Sequence, residues 1–273
     1  MTQQARRTEL GTFLRNRRQA LARQDFGLPT PPRARSSGLR REEVSTLAGV
    51  SVTWLTWLEQ GRDVNPSRQV LEALGRVLRL SASESAYLLS LGGYSPRPPH
   101  AADRVQEVAP PSTRRLLDSL PFPAFAVAAD WTIVGWNAAY AALYSRITTL
   151  DPADRNLLWL VFTDPQLRDM LPDWARDSRH FVAEFRAESG AQLGSPAHSA
   201  LIARLSGASA EFRDQWADLT VEGFTSRRRR FVHPTAGVLD FEHHRLVPSD
   251  HPDLHLVAYV PDPGSRTAAW ARG

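Results

Sequence analysis

Five histidines, His233, His243, His244, His251 and His255, crowd the C-terminal end of the chain. Neutral imidazole is a common metal ligand and carries protons near neutral pH. The spacing argues against a metal. His243 and His244 are adjacent, so on a strand they point to opposite faces, and no H-x-x-x-H helix of a metal site occurs: the one pair four apart, His251 and His255, lies in the Pro-containing turn "PSDHPD" and the strand after it. They read as histidines on a sheet surface. The stretch "GSPAHSAL" holds Ser195 and His198 but lacks the strand, G-x-S-x-G and helix of a nucleophile elbow. Arg227 to Arg230 form a run of four that could meet phosphate; opening a strand far along the chain, it reads as a solvated edge. There is no Cys, which removes thiol catalysis, disulfides and Cys-ligated clusters. No Walker or Rossmann glycine pattern occurs. The chain reads as a non-enzyme.

The strongest signal is "GVSVTWLTWLEQG", residues 49–61, with Trp54 and Trp57 three apart. Together with the preceding "REEVSTLA" it reads as helix, tight turn, helix. Gly49 permits a left-handed turn and Ser51 is placed to cap the second helix. At 100° per residue Leu55 and Leu58 share the core face, Trp54 flanks it, and Thr53, Trp57 and Gln60 lie opposite. An outward Trp on the second helix of such a pair suits DNA, its ring against sugar or a thymine methyl and its indole N–H toward phosphate. Packing of Trp57 beneath a nearby Arg-rich loop is the other reading. That loop, "ARQDFGLPTPPRARSSGLR", is too polar and Pro-rich for a helix; Arg33 and Arg35 make it either a solvated loop or a basic arm on DNA.

The elements around this pair follow from periodicity. Leu10, Phe13, Leu14 and Leu21 form one stripe, Val44, Leu47 and Ala48 another, and Val70, Leu71, Leu74, Val77 and Leu78 a third; "SASESAYLLSLGG" opens on a Ser cap and closes on Gly. With residues 52–59 these make five helices. All 33 basic residues are Arg. Residues 1–94 hold 14 Arg against 8 acidic residues, net +6, and residues 95–273 hold 19 against 21, net −2. A basic head on a near-neutral body suggests nucleic-acid binding by the head. The Pro-, Gly- and Ser-rich stretch that follows the head reads as a semi-rigid linker over 95–112.

In the body, "FPAFAVAADWTIVGWNAAYAALYSRI" predicts strand, a two-residue turn at Ala129-Asp130, strand, and a helix capped by Asn137 that carries Tyr140, Tyr144 and Ile147. Helical segments run to about residue 218. Three strands joined by "HPTAG" and "PSDHPD" turns follow. No apolar run approaches the ~20 residues of a membrane span, and "MTQQARRTEL" has no apolar signal region. The expectation is a soluble cytoplasmic protein.

The words "GLRREEV", "SVTWLTWLEQGR" and "PSRQVLEAL" resemble the XRE-type helix-turn-helix of the MmyB-like transcription regulators. "WTIVGWNAA", "DRNLLWLVFTDPQLRDMLPDW", "AEFRDQW" and "HPTAGVLDFEHHRL" resemble the ligand-binding domain of the same family. The resemblance implies an all-α five-helix XRE-type helix-turn-helix domain at 1–94, then an α+β PAS-like domain at 113–265 and a tail at 266–273. It implies that Arg41 approaches phosphate or base, that Val52, Thr53 and Thr56 enter the major groove, and that Arg18 pairs with Glu59. With Ser51, Trp57, Arg62, Arg33 and Arg35 these complete the expected DNA-facing set. The chain has Arg41 where Gln is frequent in the wider XRE pattern, and a long first loop. The resemblance also implies a fatty-acyl or similar apolar ligand; from the histidine spacing no metal is expected. The expected lining is Phe125, Trp136, Tyr140, Tyr144, Leu158, Phe162, Phe181, Phe185, Leu239 and Phe241, all core residues in the first place. The expected molecule is a homodimer on a pseudo-palindromic double-stranded operator. The alternatives for the body are another small ligand, such as flavin or haem, and a protein-docking module.

Overall fold

The computed structural model describes residues 2–28, 38–94, 108–190, 193 and 195–271. The chain divides into two compact units, Met1–Pro98 with Arg186–Ala200 and Leu219–Glu222, and Pro99–Phe185 with Leu201–Asp218 and Gly223–Gly273.

In the first unit the described N-terminal residues form α1 (Thr2–Ala20), α2 (Arg41–Ala48), α3 (Val52–Glu59), α4 (Arg68–Val77) and α5 (Ala82–Leu91). Their apolar stripes meet in one core that includes Leu10, Phe13, Val44, Leu55, Leu58 and Leu74. Leu47 leaves its expected stripe and is exposed. The loop after α1 departs from expectation at its start, where Arg23–Phe26 makes a 3₁₀ turn. Gly49 adopts φ 69° and ends α2, as a residue without Cβ does at no steric cost. The Ser51 hydroxyl accepts from the Trp54 amide at 3.1 Å and starts α3. α5 opens on a capping box: Ser81 accepts from the Glu84 amide and Glu84 accepts from the Ser81 amide. α1 passes very close to α3: a Cβ on Gly11 would lie 2.6 Å from the Leu58 carbonyl oxygen.

The second unit is helices on an antiparallel sheet. Its elements are α6 (Pro111–Ser119), β1 (Ala124–Val127), β2 (Ile133–Trp136), α7 (Ala138–Leu143), α8 (Leu157–Thr163), α9 (Pro165–Met170), α10 (Trp174–Ser189), α11 (Pro196–Ala208), α12 (Ala210–Ala217), β3 (Arg227–His233), β4 (Gly237–Leu246), β5 (His255–Pro261) and α13 (Arg266–Ala271), with α10 and α11 running past the unit's bounds. The strand order is β2-β1-β5-β4-β3. β1 is buried on both faces: Ala124 and Ala126 face a small cluster with Leu117 and Leu256, and Phe125 and Val127 face the main core. The alternation expected of a half-solvated strand is therefore absent.

Four further expectations need correction. The β1–β2 turn is longer than two residues: the Ala128 amide bonds to the Thr132 carbonyl, and Trp131 sits at φ 67°, the left-handed position of a three-residue loop with a bulge. Trp131 is held there by burial against Phe181 and Phe185, ring centroids 6.2 and 5.3 Å away. The helix after Asn137 stops at Leu143, and Ile147 lies on a separate 3₁₀ turn. The tail at 266–273 includes α13, anchored where the Thr267 hydroxyl accepts from the Asp240 amide. The part of the 95–112 linker that is described has Pro111 already starting α6.

Asn137 joins sheet, turn and helix. Its carbonyl oxygen accepts from the amides of Ala124 and Tyr140, and its amide nitrogen donates toward the carbonyls of Leu117, Leu120 and Phe122.

Candidate DNA-binding helix and ligand slot

On α3 the split between core and surface follows the helical period. Leu55 and Leu58 are buried, Trp54 is half-buried, and Ser51, Val52, Thr53 and Trp57 are exposed. Trp57 is 40% exposed, and the Arg62 guanidinium lies 5.9 Å from its ring centroid. This is a cation–π contact that leaves an amphipathic plate on the surface. The Thr56 hydroxyl donates to the Val52 carbonyl at 2.8 Å, so its lone pairs remain for an outside donor. Arg33 and Arg35 lie outside the described residues.

The end of α3 is fixed by charge. Glu59 is buried and takes a bidentate pair from Arg18, Nε to Oε1 at 2.6 Å and Nη2 to Oε2 at 3.0 Å. Arg41, at the start of α2, adds Nε to Oε2 at 2.7 Å, and Arg15 donates to the Glu59 carbonyl at 2.6 Å. The expected Arg18–Glu59 pair is thus one arm of a three-arginine cluster. Arg41, expected to approach phosphate or base, spends one edge of its guanidinium on Glu59 while its side chain stays 36% exposed. Elsewhere in this unit Glu9 accepts from the Tyr87 hydroxyl and from Arg186.

The Ser195–His198 pair proves to be a helix start: the Ser195 hydroxyl accepts from the His198 amide at 3.3 Å. Burial, with help from Arg186, lowers the His198 pKa to about 4. His243 and His255 are buried and so depart from the expected surface row. No group of three His, Cys, Asp or Glu side chains suited to a metal occurs among the described residues.

In the second unit a narrow apolar slot lies between the helices and the sheet. α7 gives it Tyr140 and Leu143, Tyr144 follows, α8 and α9 give Leu157, Val161, Leu167 and Met170, and α10 gives Phe181. The floor is Arg229 and Phe231 of β3 with Tyr259 of β5. The slot is tight, its free centre being about the size of one water molecule, so a chain-like guest must spread its walls. Burial raises the hydroxyl pKa of Tyr140, Tyr144 and Tyr259, which keeps all three neutral.

Of the ten expected lining residues, Tyr140, Tyr144 and Phe181 stand on the slot. Phe125 packs behind Tyr140 at 4.4 Å between centroids. Phe162 sits with Trp174 and Phe212, Phe185 with Trp131 and Trp216, and Phe241 with Phe231 and Trp270. Leu158 and Leu239 are fully buried core, and Trp136 is partly buried with the Arg155 guanidinium 5.3 Å from its ring. Sequence reasoning missed Arg229, Phe231, Met170 and Tyr259. The arginine run departs from a solvated edge in one respect: Arg228 and Arg230 are exposed, but Arg229 is only 3% exposed. The signal was present in the phase of β3, because Arg229 is two residues from Phe231 and shares its face.

Two family models match the chain. A helix-turn-helix domain matches residues 9–88, and the MmyB-like transcription regulator ligand binding domain matches residues 109–272. No curated protein sequence matches it. Both matched domains are regulatory rather than enzymatic in kind, and no described helix is long and apolar enough to cross a membrane. Since the second match spans more than half of its length, the chain belongs to the MmyB-like transcription regulators, with a DNA-binding helix-turn-helix domain followed by the family's ligand-binding domain.

Proposed function

We propose that the protein is a sequence-specific, homodimeric transcription regulator whose second domain is PAS-like and holds a fatty-acid-like molecule in the slot beneath α7–α10. The observation that carries this is the slot itself, an apolar space within the stretch matched as a ligand-binding domain. The strand order β2-β1-β5-β4-β3 with helices inserted between β2 and β3 supports the PAS-like reading. The exposed Val52, Thr53 and Trp57 on a capped second helix support DNA reading by α3 in the major groove. A single recognition helix contacts one half-site, so the proposal includes a two-fold dimer on half-sites about 34 Å apart.

Native mass spectrometry of freshly purified protein tests the ligand, and a footprint with the operator tests the dimer. A co-purifying mass of acyl-chain size and protection of two half-sites support the proposal. A protein that arrives empty and takes up no apolar probe favours the docking module, and a coloured protein favours flavin or haem. A monomer that protects one half-site removes the dimer.

A further inference from the structure

The helix-turn-helix match ends at residue 88, but the core of the first unit does not. Val221 is buried in that core, and Ala187 of α10 and Leu193 beyond it pack against it. All three belong to the stretch matched as the ligand-binding domain. Arg186, near the C-terminal end of α10, is fully buried. Its Nη1 donates to Oε1 of Glu9 on α1 at 2.5 Å, and the same oxygen accepts from the Tyr87 hydroxyl of α5 at 2.8 Å. The Tyr87 ring in turn stands edge-on to Phe13 of α1, centroids 5.3 Å apart. Gly190, just past α10, lies so close to α5 that a Cβ would run into the Ser90 hydroxyl and come within 3.2 Å of the Tyr87 ring. Arg17 of α1 donates to the Leu219 carbonyl at 3.2 Å. The end of α10 is therefore seated on α1 and α5, within the unit that reads DNA.

α1 is also the helix that holds α3. Glu9 stands two residues before Gly11, where α1 meets the α3 backbone, and Arg18 of α1 pins Glu59 at the end of α3. Five residues before Arg186, the same α10 carries Phe181, which lines the slot. A helix has a fixed rise of about 1.5 Å per residue, so α10 cannot shift at Phe181 without moving Arg186. We propose that this seat is an internal regulatory contact: with Arg186 on Glu9 and Gly190 against Ser90, α10 holds α1 on α3 in the DNA-reading arrangement, and a shift of α10 that breaks the seat lowers operator affinity. A buried guanidinium that loses its carboxylate is strongly disfavoured, so the seat has two positions, made and broken, rather than a gradual slide. The trigger, a guest in the slot, rests on the proposed function; the seat rests on the packing of the first unit alone. The competing account is that Arg186 and Gly190 only stabilise the fold.

The test uses the full chain and a DNA fragment selected by it from random sequence. Glu9→Gln, which removes the charge but keeps an acceptor for Tyr87, and Gly190→Ala, which drives α10 from Ser90, should each weaken binding of that fragment about fivefold or more, the lower end of allosteric differences. Glu9→Gln combined with Arg186→Gln should bind no more weakly than the worse single variant, since both break one contact. Hydrogen exchange should quicken at the amides of α1 and α3 and stay unchanged in β3, β4 and β5. Affinity within about twofold of wild type in both single variants, or exchange that quickens equally in both units, overturns the proposal. If Gly190→Ala does not fold, Glu9→Gln and its double variant decide. Saturating dodecanoate then tests the trigger: the operator shift it causes in the wild type should fall below about twofold in Glu9→Gln, with dodecanoate binding itself kept within about threefold. An undiminished shift overturns the seat as the route. If dodecanoate does not bind the wild type, the slot reading fails, and the affinity and exchange measurements still decide the seat.

Discussion

Glu59 is the residue on which the helix-turn-helix is pinned, and its three arginine contacts have different weights. Arg18 is buried with it and also donates to the Leu39 carbonyl at 2.7 Å, so this arm spans α1, α3 and the chain entering α2. Removing the carboxylate charge leaves a buried guanidinium without its counter-ion, a change that costs about 3–5 kcal/mol when the pair is fully buried. Glu59→Gln should approach the lower end, because the amide oxygen still accepts one bond, and Arg18→Met with Glu59→Leu should lose less than Glu59→Gln. Urea denaturation of the full chain measures this; equal small losses would mean that the cluster does not hold the fold. Arg41 is the exposed arm, and exposed ion pairs contribute about 1 kcal/mol or less. Arg41→Ala should therefore leave stability nearly intact. It should still weaken DNA binding across sequences and lower the slope of log affinity against log salt by about one unit. An unchanged slope would confine Arg41 to its pairing with Glu59.

At the scale of elements, the close crossing of α1 and α3 is set by Gly11. A methyl group there would meet the backbone oxygens of Leu58 and Glu59 at 2.6 and 2.7 Å, and backbone cannot step aside as a side chain end can. Gly11→Ala should cost about 1–3 kcal/mol, the range of an overpacked core, despite the better helix propensity of Ala. Thermal unfolding checks it, and a neutral or stabilising result would show that the two helices can separate. Such crossings are hard to see in a sequence, where Gly11 only weakens a helical pattern. What periodicity and capping residues carry was legible: the turn at Gly49, the cap at Ser51, the outward Trp57 and the closing strands β3 to β5. Residues whose place depends on tertiary cover were not. The second packed face of β1 is carried by two small alanines, Ala124 and Ala126, which give no apolar signal of their own in the sequence. Arg229 looked solvated because three neighbours of its own kind masked the two-residue phase set by Phe231. Most of the expected slot residues were simply core, since an aromatic side chain has the same pattern behind a cavity as beside it.

For the whole molecule, the proposed function requires that ligand and DNA binding be thermodynamically linked. A ligand shifts an equilibrium only as far as it binds one state better than the other. The slot gives a physical reason for two states: its walls nearly meet across a centre of water size, so an acyl guest must displace side chains such as Phe181 and Met170, and the occupied and empty arrangements differ in packing. Interiors packed to near-crystal density pass such a displacement on rather than absorb it. A typical coupling is about 1–3 kcal/mol, or roughly 5- to 150-fold in affinity. Operator DNA titrated into delipidated protein should accordingly show a dissociation constant that moves within that range when a saturating acyl ligand is added. By linkage the ligand's own affinity must move by the same factor when saturating operator is present. The pair of titrations makes the prediction strict. Equal shifts in both directions establish coupling between the sites. Ligand binding that leaves operator affinity constant would mean that the slot is occupied without regulating DNA binding. A shift in one titration alone would violate the cycle and point to a second ligand site.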